Sequence, residues 1–231
     1  MGGVSMRVAA WAGLVAQLLF VVSWLVAAVW QGPRYSITAH TISDMYAVTA
    51  PRGWVLVVVI TMCGVATILF ALVALWPALR VAGWTAGVGC ALLALSIYGL
   101  GDALTPLERE ACRLADDGCT AADQVANAGG ALDAILSTLG IFVFVAATFF
   151  VAAAMKRTRH WHNWAWPARG VGIGFVALLV ILVATENAGF GGLMERLLAA
   201  TGAAAIAAAA TRVLALSRQP MVRSPIQVDV T

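Results

Sequence analysis

Six apolar runs, at about residues 7–30, 54–76, 81–101, 128–155, 170–189 and 194–216, decide what this chain can fold into. A helix of roughly 20 apolar residues crosses about 30 Å of hydrocarbon, and each run reaches that length. Only 11% of the 231 residues are charged and 62% are hydrophobic, with a mean hydropathy of +0.91. A soluble domain keeps about 25% charged residues to cover its surface, so the solvent expected here is lipid. The fold class is all-α: a polytopic membrane protein, a six-transmembrane-helix bundle. Residues 1–216 are expected to form one domain, followed by a disordered cytoplasmic tail over 217–231. The first run exceeds the roughly 7–15 apolar residues of a signal peptide, and "AAVWQGP" is a poor cleavage site. The start "MGGVSM" lacks the Ser or Thr that myristoylation needs where Met6 stands.

Basic residues mark cytoplasmic loops. With the N-terminus inside, Arg7, Arg80, Lys156, Arg157, Arg159, Arg169, Arg212, Arg218 and Arg223 fall on the inner side. Arg34, Arg52, Arg109, Arg113 and Arg196 fall outside, with every acid except Asp229. Both termini are thus expected in the cytoplasm of a multi-pass protein. One Lys against thirteen Arg, with abundant Ala and Gly, fits a GC-rich bacterium and its inner membrane. Cys112 and Cys119 flank "RLADDG" on the side this orientation makes oxidising, and a disulfide between them is expected. Cys63 and Cys90 lie deep in their spans and read as small packing residues. His160 and His162, two apart, point to different sides of a helix and make no metal site. Gly83 and Gly87, and Gly170 and Gly174, offer faces for close helix approach, within the monomer or in a homo-oligomer.

The stretch "RYSITAHTISDMYAV" packs His40, Ser43 and Asp44 into five residues of a loop between two spans. Thr38 is placed to cap a helix from Ala39. That helix carries an apolar stripe of Ile42, Met45, Tyr46 and Thr49, and a polar one of His40, Ser43 and Asp44 at i, i+3 and i+4. A Ser-His-Asp triad does not fit, because both partners lie on one side of His40. The sequence predicts a His40–Asp44 pair on a lid over the outer helix ends. Beneath it Asp102, Asp133 and Glu186 are expected at one level, with Glu195 beside them and Arg34, Arg52 or Arg196 offsetting their charge. These five, His40, Asp44, Asp102, Asp133 and Glu186, are the candidate catalytic residues. Ser43, Tyr46, Tyr98, Asn187 and Arg196 are candidate ligand contacts. Gln17 is the one strongly polar side chain expected near the midplane.

"YSITAHTISDM", followed by a proline-bearing loop, resembles the Tyr-x-x-x-x-x-x-Ile-Ser-Asp/Glu segment after the first span of the domain-of-unknown-function family 998. Tyr35, Ile42, Ser43 and Asp44 carry that match. "GGLMERLL" is similar to the Gly-Leu-x-x-Arg opening of the family's last span, through Gly192, Leu193 and Arg196. The family pattern has a His at the start of the fourth span, where this chain has "NAGGALDAIL" with Asp133. The resemblance implies a six-span fold and brings no activity with it.

Carboxylates in half-apolar surroundings acquire raised pKa values and act as acids. The first functional expectation is therefore an outward-facing pocket that binds or processes a lipid-like or isoprenoid-like amphiphile. No cofactor is expected, apart from a divalent cation that carboxylates could hold. The alternative is a non-catalytic membrane partner or assembly subunit. A transporter ranks last, because such carriers need polar or broken-helix sites near the midplane. Membrane lipid is the expected partner, with a homo-oligomer or another membrane protein possible, and nucleic acid is not.

Overall fold

A computed structural model describes residues 3–185 and 188–218. Five helices are long and apolar enough to span: Val4–Trp30, Gly53–Ala82, Ala128–Arg157, Arg159–Thr185 and Gly191–Ser217. The bent pair Trp84–Leu95 and Ile97–Leu104 makes a sixth if counted as one span. We label the helices α1 (Gly3–Ala27), α2 (Gly53–Leu69), α3 (Trp84–Leu95), α4 (Ala128–Arg157), α5 (Ala165–Thr185) and α6 (Gly191–Ser217). Each packs against its neighbours in the chain, and α6 returns to α1, so the bundle is a ring built in sequence order.

One glycine-enabled approach and one helix break set the geometry of the ring. Eleven residues into α2, a Cβ on Gly64 would lie 2.3 Å from the Ala103 nitrogen and 2.7 Å from the Asp102 carbonyl carbon. Only glycine permits that contact, and it fixes the end of the third span against mid-α2. That third span is broken. Ser96 is extended (ψ 177°), its hydroxyl turns back to the Leu93 carbonyl (2.8 Å), and the chain bends by 42°. A wide π-turn over Ile97–Gly101 then leads to Asp102. Backbone can leave the helix at membrane depth only where protein or a polar cavity surrounds it. Ser96 is fully buried, and Ile97, Tyr98 and Gly101 line a cavity.

Gln17 donates to the Thr67 hydroxyl (2.8 Å), which donates to the Cys63 carbonyl (2.9 Å), so the polar side chain at mid-α1 fastens α1 to α2. Cys63 and Cys90 are buried free thiols within the packing. The close approach expected of the glycine pairs is not found inside the bundle. A Cβ at Gly170, Gly174 or Gly83 would meet nothing within 4 Å, and one at Gly87 would only graze Trp76. Close approach inside the bundle falls to other glycines, Gly64 among them.

Candidate functional site

The segment between α1 and α2 does not form the helix expected from Ala39. Its one regular piece is a 3-10 turn over Ser43–Tyr46. The reason lies in α6, which takes the hydrogen-bonding groups a helix would need. Gly192 and Leu193 donate their backbone N–H groups to the carbonyls of Ala39 (3.3 Å) and Thr38 (3.0 Å). Arg196 Nη1 donates to the carbonyls of Ile37 (2.9 Å), His40 (2.7 Å) and Gly192 (2.8 Å), and its Nη2 to the Tyr35 hydroxyl. Glu195 accepts the Ile42 N–H at 2.7 Å. A Cβ on Gly192 would stand 2.1 Å from the His40 carbonyl oxygen, so the clamp requires glycine there. Arg196 is therefore engaged with backbone and the Tyr35 hydroxyl, while its charge also lies beside Glu195 and offsets that carboxyl group in part. Arg34 pairs with Asp117 in solvent-exposed positions.

The expected His40–Asp44 pair is absent among the described residues. His40 Nδ1 accepts the Ser36 N–H (3.0 Å), and its ring leans on Tyr35. Asp44, fully buried, accepts instead from the Leu114 N–H (2.8 Å) and Gln124 Nε2 (3.1 Å), and its Oδ2 has no partner. Gln124 donates from the same nitrogen to Glu110 Oε2 (2.8 Å), while Ser43 donates to Glu110 Oε1 (3.0 Å). One amide thus bridges two carboxyl groups. Gln124 is held there by the short helix Ala121–Gln124, which Thr120 and Asp123 close with a reciprocal capping box. A disulfide joins Cys112 and Cys119 in the same loop. Arg109 ties that loop to the first by donating to the carbonyls of Tyr46 and Ala47, both at 2.9 Å.

Under these two loops lies a cavity of about 270 Å³. Its roof is Thr41, Ile42, Ser43 and Tyr46. Four carboxyl groups face it: Asp102, Glu108, Asp133 and Glu195. The walls are apolar, from Ile60, Ile97, Ile141, Leu182 and Leu198. Phe20, Tyr98 and Phe175 complete it, in a file of rings whose centroids stand 4.7–6.2 Å apart through Phe144. Tyr98 donates to the carbonyls of Leu198 (2.9 Å) and Ala199 (3.2 Å), and Tyr46 to Asp133 (3.4 Å).

The carboxyl groups are not at one level. Asp133 and Glu195 stand five and four residues inside the starts of α4 and α6. Asp102 abuts Gly64, eleven residues along α2 and so ~16 Å below its start. The sequence reading left Gln17 alone at such depth; Asp102 joins it, lowered by the break at Ser96. Glu186 and Asn187 lie outside the described residues. Glu108, Glu110 and Gln124 belong to the site and were missed, since an irregular loop has no periodicity to show which side chains turn inward. Burial, and then the charge of Asp133, push Glu108 and Glu110 each up to about 8. Burial also raises Asp44, against the Leu114 N–H, His40 and Arg113. No group of three or more His, Cys, Asp or Glu among the described residues is arranged to hold a metal ion.

Fold and site define a class: a small all-helical multi-pass membrane protein with a loop-capped, carboxyl-lined cavity at one end. The chain belongs to the family described as "Protein of unknown function (DUF998)", which matches residues 14–212. No curated protein and no solved structure matches it.

Proposed function

We propose that the protein binds, and in one form processes, a lipid-like or isoprenoid-like amphiphile in this cavity, on the outer side of a bacterial inner membrane with both termini in the cytoplasm. The observation that carries the reading is the two-part lining: four carboxyl groups, with the hydroxyls of Thr41, Ser43, Thr105 and Ser137, in a chamber whose remaining walls are mostly isoleucine, leucine and aromatic rings. A wholly polar solute would leave those walls dry and unsatisfied, and a wholly apolar one would strand the carboxyl groups. An amphiphile matches both. Asp102, Glu108, Asp133 and Glu195 meet its polar end, while Phe175, Ile141 and Leu182 meet its chain. A buried carboxyl group that stays protonated near neutrality can also donate a proton, which is the chemistry an acid-initiated reaction on such a chain requires. A carboxylate-held divalent cation is not favoured, since the described side chains form no ligand cluster.

Solvent extraction of the purified protein followed by mass spectrometry tests this reading. Wild type is expected to carry a stoichiometric amphiphile that Ile141→Trp, which fills the chamber, excludes. Equal recovery from both proteins contradicts it.

The second reading, a non-catalytic membrane partner or homo-oligomer, draws support from α5. That span is the least buried of the five, at 11%, and the open Gly170 and Gly174 stand four residues apart on it. Such spacing lets a second helix approach closely in lipid. Cross-linking from Ile173→Cys in native membranes distinguishes a specific contact there from lipid alone.

A further inference from the structure

The cavity's charge is one-sided, and this points to what the bound amphiphile must carry. Among the described residues that line it there are four carboxyl groups, Asp102, Glu108, Asp133 and Glu195, and no basic side chain. The nearby arginines are spent elsewhere, Arg196 on three carbonyls and a phenol, Arg109 on two carbonyls, Arg113 on Asp116 and Gln31. Two of the four acids have protein partners: Glu195 takes the Ile42 N–H, and Asp133 the Tyr46 hydroxyl. The other two do not. Glu108 is 3% exposed, and its buried Oε1 has no hydrogen-bond partner. The side chain of Asp102 accepts no hydrogen bond from any described residue, and the charge set against it is that of Glu108, another acid. An orphaned buried carboxylate oxygen is costly unless something supplies donors or positive charge.

Aromatic rings share the cavity lining with these two acids. Phe20, Tyr98 and Phe175 border the same space. Aromatic faces attract a cation through their negative quadrupole, and more strongly when water is excluded. Aromatic rings and carboxyl groups in an apolar chamber form a receptor for an organic cation, whose charge would draw Glu108 and Asp102 into their ionised forms, whereas a phosphate or a carboxylate would find no positive charge to meet it. A bare metal ion needs clustered oxygen ligands, and the described residues form no such group.

We propose that the cavity selects amphiphiles with a cationic head, a protonated amine or a quaternary ammonium, seated between Glu108 and Asp102 with its chain along Ile141, Phe175 and Leu182. This rests on the amphiphile reading above and narrows it to one head-group charge. The charge-assisted contacts to Glu108 and Asp102 are the term a neutral head of the same length lacks.

The test uses the full-length protein in phosphatidylcholine nanodiscs and three radiolabelled probes of equal chain length: n-decylamine, n-decanol and decanoate. Binding to empty discs is subtracted. The amine is expected to bind one per chain, about tenfold or more tighter than the alcohol, with decanoate weaker than both. Glu108→Gln and Asp102→Asn are each expected to lower amine affinity by about tenfold and leave the alcohol unchanged. Equal binding of amine and alcohol by wild type overturns the cationic head and leaves the amphiphile reading standing, and this comparison needs no variant to fold. Amine affinity unmoved in both folded variants overturns it too. If none of the three binds above empty discs, the amphiphile reading falls, and this inference with it.

Discussion

Arg196 Nη1 donates to the carbonyl of His40 at 2.7 Å, joining the last helix to the loop after the first. The two short motifs that resemble the family pattern meet in this contact. Tyr35 and Ile42 stand on one side of the clamp, and Gly192, Leu193, Glu195 and Arg196 on the other. Four acceptors share one buried guanidinium, which Trp24 and Tyr35 also face with their rings. Replacing Arg196 by Ala strands those carbonyls and is expected to lower stability by about 3 kcal/mol. Arg196→Lys should recover only part, because a single ammonium cannot span the fork of acceptors. Thermal unfolding in detergent measures both. Equal melting temperatures for wild type and Arg196→Ala would remove the clamp from the account.

Gly192→Ala isolates the lid from the charge. The added methyl would meet the His40 carbonyl oxygen at 2.1 Å, and that neighbour is backbone, so the loop must move. The expected outcome is faster maleimide labelling of a cysteine placed at Thr41, which roofs the cavity, with the helical content unchanged. Labelling at the wild-type rate contradicts the docking.

The roof should respond to pH with a definite sign. Glu108 and Glu110 rise from 4.5 to about 8 in the fold, chiefly by burial. Between those values the unfolded chain has lost these protons and the folded chain keeps them, so stability falls as pH rises through the window. Below 4.5 both states are protonated and the contribution is fully present. Glu110→Gln keeps a carbonyl for Gln124 and an amide for Ser43 while removing one titration. It should flatten the decline between about pH 5 and pH 8 by on the order of 2 kcal/mol. A melting temperature that climbs over this range in wild type would reverse the assignment.

Reduction of the Cys112–Cys119 bond frees an eight-residue loop and is expected to cost about 2.5 kcal/mol. Because Leu114 in that loop donates to Asp44, reduction should also speed labelling at the Thr41 position. Stability unchanged by reductant would show the loop held by its polar contacts alone.

How much of this was legible in the sequence depends on the element. Span lengths follow from apolar runs, and five of the six runs are continuous helices because lipid forces backbone groups into intrahelical bonds, while the third is broken at Ser96. The polar stretch at 34–48 does roof the cavity that Asp102 and Asp133 line. Its internal pairing was misread because Asp44 and His40 were weighed as neighbours on a helix. Their true partners, Leu114, Gln124 and Ser36, come from tertiary contact or a turn. The depth of Asp102 was illegible for a similar reason. It depends on the break at Ser96 and on Gly64, 38 residues before Asp102 in the chain, and neither leaves a mark in hydropathy.

The chamber beneath the lid is proposed to hold an amphiphile by both its ends, and a structure determined in lipid nanodiscs tests this. Continuous density is expected, with a polar end within hydrogen-bonding distance of Glu108 and Asp102 and a chain running past Ile141 and Phe175. A chamber holding only ordered water, with lipid confined to the outer belt of the ring, would contradict it.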